Sequence, residues 1–304
     1  MPPQSFVPQA PIQAGPIKIG KFKASRIILK ESWALLSHDK EILWFPVLSA
    51  ITFFLSLALL VAVGYFGILG GNLDNLKGLE DAGQGIKNIA IYGTLLGYYL
   101  LLFFITNFFQ SGIFIIVHAR FTGENLGLRD GLRGAMVHVG KIFVWSLISA
   151  TVGVILQLIS DKSKQVGKIV ATLLGSAWNV LTYFSLPALV IGQAGVVDSF
   201  KESAMMIRKT WGETIIVNFG VGFIFGLVFL LLVIIGGVIL QFVPDVFYGA
   251  IAVGSSLLFI LILISILSSS LNAIFKLVFF EYARTGTVPQ GFSPEVIQQA
   301  IKAR

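Results

Sequence analysis

Asn107, Asn179 and Asn272 each sit inside a long stretch that contains no Asp, Glu, Lys or Arg, and they are the residues best placed to do chemistry. A side-chain amide both donates and accepts hydrogen bonds. Three of them at one depth would form either a polar site for a solute or a lipid headgroup, or a set of interhelical hydrogen bonds. Gln110, Gln157, Asn218 and Ser268 to Ser270 extend the polar set. Lys276, one helical turn after Asn272, adds a charge. An ammonium at that depth either couples to a proton or substrate, or carries its long stem toward the headgroups near Arg284; the second is the simpler expectation.

Other constellations carry less. Gly220-Val221-Gly222-Phe223-Ile224-Phe225-Gly226 looks like a dinucleotide fingerprint, but it lies inside an apolar run with no strand before it, and Gly222 and Gly226 read better as a helix-packing face. Gly134 to Lys141 misses the phosphate-loop spacing and ends in Lys-Ile. His38, His118 and His138 fall near helix ends without an acidic cluster, so a metal site is not expected and each reads as amphipathic surface. With no cysteine in the chain, thiol catalysis and disulfides are excluded. No catalytic residue and no cofactor is expected.

The elements that must position the amides follow from the charge-free stretches themselves. Six of them, Ile42 to Leu73, Asn88 to Ala119, Ile142 to Ser160, Ile169 to Val197, Thr214 to Pro244 and Val246 to Phe275, are 19 to 32 residues long. A helix needs ~20 apolar residues to cross a hydrocarbon core. The expected fold is therefore all-α, a polytopic membrane protein with six spans in three hairpins. A mean hydropathy of +0.87 with only 12% charged residues agrees with this. Pro46 is tolerated at the start of the first span, Pro187 should bend the fourth, and the five tryptophans should form an aromatic belt.

Lys and Arg are unevenly divided between alternate connections. Sixteen fall on the side of the termini and five on the other, which places both termini in the cytoplasm by the positive-inside rule. A net charge of +7 is accounted for in this way, and nucleic-acid binding is not expected without a soluble module. Residues 1–20, rich in Pro and Gln, read as a disordered tail; 21–284 form the membrane domain and 285–304 a cytoplasmic C-terminal segment.

An internal repeat is expected within the membrane domain, with units of about 21–120, 121–195 and 196–284. Leu29-Lys30-Glu31, Leu128-Arg129-Asp130 and Phe200-Lys201-Glu202 share an apolar, basic, acidic pattern. Each begins a short amphipathic helix ahead of a hairpin, with apolar stripes Leu29-Trp33-Leu36, Leu128-Leu132-Ala135-Val139 and Phe200-Ala204-Ile207-Trp211. Ser199 with Glu202 reads as the capping box that starts the third. Pro294 to Ile301 resembles a fourth such helix. Lys23, Arg26, Lys30, Arg129, Arg133, Lys201, Arg208 and Lys209 should meet anionic headgroups from these helices. A second echo, Ala119-Arg120-Phe121-Thr122-Gly123 against Ala283-Arg284-Thr285-Gly286, marks the ends of the second and sixth spans.

Ser32-Trp33-Ala34-Leu35-Leu36, Asp39-Lys40-Glu41, Trp44-Phe45-Pro46, Thr210-Trp211-Gly212-Glu213 and Asn218-Phe219-Gly220 together resemble an uncharacterised family of prokaryotic six-span membrane proteins, over roughly Arg26 to Arg284. More distantly, the helix-before-hairpin plan is similar to the membrane domain attached to some glycerophosphodiester phosphodiesterases, whose hydrolase domain has no counterpart here. The resemblance implies the architecture and no catalytic residue. The function expected is a non-enzymatic lipid-interacting or scaffold protein in the cytoplasmic membrane, able to form a homo-oligomer; the alternative is a transporter of a small solute or lipid using the mid-membrane polar residues.

Overall fold

A computed structural model describes residues 21–68, 84–162, 166–210, 218–240 and 246–302 of the chain. Among the described residues there are helices and no strands. Helix α1 (Lys21–His38) leads through a 3-10 turn (Lys40–Leu43) into α2 (Trp44–Ala62), which continues as a π-helical segment (Val63–Ile68). Then come α3 (Gln84–Phe121), α4 (Leu128–Val137), α5 (Val139–Lys162), α6 (Val166–Leu181), α7 (Ser185–Val190) and α8 (Val196–Thr210). The chain finishes with α9 (Asn218–Leu240), α10 (Val246–Thr285) and α11 (Pro294–Lys302).

Five helical stretches are long and apolar enough to cross a bilayer: Lys40–Phe66, Gly93–Phe121, Val139–Asp161, Val166–Val190 and Ile251–Thr285. A shorter apolar stretch, Gly226–Ile239, lies within α9. α2 packs on α3, α5 on α6 and α9 on α10, while α3 touches α2, α4, α5, α7 and α10 and so occupies the centre.

The apolar surface is not buried evenly along these helices. Leu55, Phe54, Leu258 and Phe259 are about 60% exposed, whereas Ile113, Phe114, Ile116 and Val117 of α3 and Ala273 to Phe280 of α10, apart from Lys276, are almost fully buried. The reason is length. At ~1.5 Å per residue the 38-residue α3 and the 40-residue α10 are ~57 and ~60 Å long, twice the ~30 Å of a hydrocarbon core. Their C-terminal thirds run on into a layer built from α1, α4, α7, α8 and α11, where α1 packs on α10 and α11, α4 on α3, and α7 on α8.

This end layer is the core of the molecule, and local sequence explains how it closes. Phe45, with no exposed surface, enters between Gly112 of α3 and Gly131 of α4; a Cβ on Gly112 would come within 2.1 Å of its ring, and one on Gly131 within 2.7 Å. The buried stripe of α1 is Ile28, Ser32 and Leu36 rather than Leu29, Trp33 and Leu36, because Trp33 is turned outward and 49% exposed. α8 begins at Val196, three residues before the expected Ser199. Ser199 is fully buried inside the helix and its hydroxyl donates to Val196 O, so no capping box forms there.

The fourth span is broken rather than bent. Turn residues Thr182 to Phe184 separate α6 from α7, and Pro187 occupies the first turn of α7, where its missing N–H costs nothing. The Phe184 N–H is satisfied by the Ser203 hydroxyl of α8 at 2.9 Å. At the other end of α7, Gln193 adopts φ 57° and the Lys141 ammonium holds the Gln193 and Ala194 carbonyls at 3.3 and 3.2 Å. Of the expected packing face, Gly226 meets nothing within 4 Å and the surroundings of Gly222 lie outside the described residues; a close approach in α9 is made by Gly236, where an added Cβ would run into the Leu257 side chain of α10. Trp145, expected in an interfacial belt, is buried and lies between the rings of Phe103 and Phe200.

Candidate functional site: a basic end layer above a polar groove

The three asparagines have different surroundings. Asn107 is buried and its amide donates to the Ser146 hydroxyl of α5 at 3.0 Å, which joins two helices. The Asn272 amide donates to Ser268 on its own helix at 3.2 Å, and Asn179 is exposed. The side chain of Asn218 lies outside the described residues. Lys276, expected to carry its ammonium toward the headgroups near Arg284, places it 4.9 Å from the centre of the Tyr183 ring, at the break between α6 and α7, where the π face receives the cation.

Gln110 has a different setting from Asn107. It lines a groove of about 300 Å³ between α2, α3 and α10, with Ser49, Ser265 and Ser269 as further polar walls and Phe53 and Phe109 among the apolar ones. Among the described residues no charged side chain lines it.

Basic residues named from the sequence are displayed at the end layer. Arg26, Lys30, Arg129, Arg133, Lys201 and Arg208 are all exposed, and of these only Lys201 has an ion-pair partner among the described residues, Asp198 at 3.2 Å. The side chains of Lys23 and Lys209 lie outside the described residues, as do Lys164, Trp211 and Asp245.

Acidic residues, for which the sequence suggested no partners, hold the layer together. The Glu31 carboxylate of α1 accepts from the Ser293 N–H and hydroxyl and so caps α11, which opens with Pro294 at its first position. Glu41 accepts the Leu128 N–H at 2.7 Å, and Asp130 accepts the Gly127 N–H at 3.0 Å, so two carboxylates meet the N-terminus of α4. Asp39 pairs with Arg120 at 2.7 Å, and Glu281 with His118 at 2.8 Å. His118 is therefore a half-buried joint between α3 and α10 rather than a lone surface side chain. The available signal was the echo at the ends of the two helices: Gly123 (φ 84°) and Gly286 (φ 74°) cap them in the left-handed conformation, and Thr122 and Thr285 bond back four residues to His118 and Glu281.

With these five carboxylates engaged in caps and pairs, the six exposed basic side chains are left to face outward at this end of the molecule. Chemically it can attract phosphate-bearing headgroups. Among the described residues no three His, Asp or Glu side chains gather to hold a metal ion.

The family of unknown function DUF6159 matches residues 89–291. The chain belongs to this family. No curated protein and no solved structure matches it. The matched DUF6159 segment runs from α3 to the turn before α11 and contains Gln110, His118, Arg120, Lys276 and Glu281.

Proposed function

We propose that this DUF6159 protein is a six-span integral membrane protein whose basic end layer binds anionic lipid headgroups, as a non-enzymatic lipid-interacting or scaffold protein with both termini in the cytoplasm. α9 is read as the sixth span, and α1, α4 and α8 as the interfacial helices that precede three hairpins, a plan similar to the membrane domain of some glycerophosphodiester phosphodiesterases. The observation that carries the reading is the segregation of charge: six basic side chains on three helices are exposed while Glu31, Asp39, Glu41, Asp130 and Glu281 are engaged in caps and pairs. Each near-surface Lys or Arg adds ~1 kcal/mol of attraction to an anionic leaflet. Exposed Trp33, Trp44 and Met136 on or beside the same helices suit the boundary between headgroups and chains. A transporter would draw its polar residues onto one pathway, and the divergence of Asn107, Asn179 and Asn272 gives that alternative no support.

The test is retention of phosphatidylglycerol against phosphatidylethanolamine, measured by mass spectrometry on protein purified in mild detergent. Changing Arg26, Lys30, Arg129, Arg133, Lys201 and Arg208 to Gln should abolish the preference for the anionic lipid. An unchanged lipid ratio in the folded variant refutes the reading and leaves these residues as topology markers alone.

A further inference from the structure

The groove between α2, α3 and α10 contains polar groups that the fold leaves unused. In these helices a hydroxyl normally bonds back to its own backbone: Thr52 and Ser56 of α2, Thr106 of α3 and Ser255 and Ser256 of α10 all do so at 2.7 to 3.1 Å. Ser49, Ser265 and Ser269 line the groove and make no such bond among the described residues, and the Gln110 amide beside them makes none there either. Four side chains from three helices thus offer donors and acceptors to one space. In a bilayer an amide without a partner costs several kcal/mol.

Position and charge define what can answer them. Gln110 stands ten residues before Arg120, ~15 Å along α3 from that guanidinium, where the helix passes from the end layer into its long apolar part. A phosphate or carboxylate would meet no cation there, since none of the described residues lining the groove is charged. A hydroxyl or ester is neutral and matches both donor and acceptor. The volume of about 300 Å³ is at the lower limit of ligand pockets and holds about ten groups the size of a water or methylene at ~30 Å³ each. That accommodates a small head and the start of one chain, lying on Phe53 and Phe109.

We infer that this groove is a binding site for an uncharged, hydroxyl-bearing lipid, whose head is held by Gln110, Ser49, Ser265 and Ser269. The inference rests on the membrane reading above and not on headgroup binding by the end layer.

The test uses a long-chain alcohol carrying a diazirine in its chain, with diazirine phosphatidylcholine as the control, on the full chain in nanodiscs. Photolabelling by the alcohol should map to peptides of α2, α3 and α10 around the groove and exceed that by phosphatidylcholine. Gln110→Leu, and separately the pair Ser265→Ala and Ser269→Ala, should each lower it about fivefold, the loss expected for one or two hydrogen bonds. The serine pair guards against misfolding of the glutamine variant, with melting curves run on all. The variant lacking the six basic side chains should label as wild type, which separates this site from the end layer. Equal labelling by both probes, or labelling indifferent to both variants, means bulk lipid only and overturns the inference.

Discussion

His118 Nδ1 meets Glu281 Oε1 at 2.8 Å, and the two residues stand at equivalent places, each four residues before the threonine that precedes a left-handed capping glycine. The pair fastens α3 to α10 just before both helices end. Its members are unequal, because the Glu281 side chain is 10% exposed and that of His118 34%. Removing the imidazole strands a buried carboxylate, whereas removing the carboxylate leaves an imidazole that water can reach. His118→Leu should therefore cost ~1–3 kcal/mol and Glu281→Gln distinctly less. The double replacement by Leu should recover much of the loss. Unfolding curves in detergent measure all three, and equal losses for the two single variants would contradict the asymmetry.

Phe45 supplies a second joint. Gly112→Ala places a methyl group against a ring that has no free surface, and overpacking of this kind costs ~1–3 kcal/mol. A smaller side chain at position 45 should relieve it. Phe45→Leu with Gly112→Ala is accordingly expected to be more stable than the sum of the separate effects, read as a coupling energy in a double-mutant cycle.

For the asparagines, the hydrogen-bond geometry separates what composition grouped. Asn107→Leu should lower stability by ~1 kcal/mol, since it removes the bond to Ser146 between α3 and α5. Asn179→Leu, at an exposed position, should leave the melting temperature unchanged. A melting temperature that falls equally for both would show that the two amides serve one buried network.

Much of the fold was legible because the bilayer imposes it. Charge-free stretches of 19 to 32 residues can be satisfied only as helices, and amphipathic runs around Leu128 and Phe200 gave α4 and α8 to within a few residues at their starts. Position on a helix was less legible. Periodicity alone put Trp33 on the buried face of α1, but a large amphipathic ring is equally at home at the boundary of lipid and water, and packing against α10 and α11 chose Ile28 and Ser32 instead. The acidic joints escaped notice because their partners are distant in sequence: Glu31 meets Ser293 and Glu41 meets Leu128 only when the end layer has formed. Amides grouped in one polar set differ in partner because three-residue and four-residue steps around a helix decide which neighbour a side chain meets: Asn107 of α3 bonds to Ser146 of α5, while Gln110 of the same helix lines the groove.

pH should act on the joint between α4 and α5. His138 is held below its ordinary value of 6.5, first by partial burial and then by the Lys141 ammonium, so the folded state favours the neutral ring. The unfolded chain then binds the proton more readily. Stability from this residue is present above pH ~6.5 and declines as pH falls through that value toward the lower folded one. His138→Gln should flatten that part of the stability profile between about pH 7 and 5, measured as melting temperature against pH. A profile unchanged by the substitution would assign the decline to other groups.

Topology is the prediction on which the functional reading depends most, and the absence of cysteine makes it direct to test. Sixteen Lys and Arg lie on the side of the end layer against five on the other, so the layer should face the cytoplasm and its anionic leaflet. Single cysteines at Ser37 and Glu124, both exposed in the end layer, should resist an impermeant thiol reagent in intact cells and react after permeabilisation. Cysteines at Asp161 and Lys77 should react in intact cells. The end-layer pair is decisive because neither residue makes a contact outside its own helix or turn among the described residues, so replacement leaves the joints intact. Labelling of Ser37→Cys or Glu124→Cys from outside would put the basic surface on the opposite leaflet, and the attraction to anionic cytoplasmic lipid would lose its physical basis.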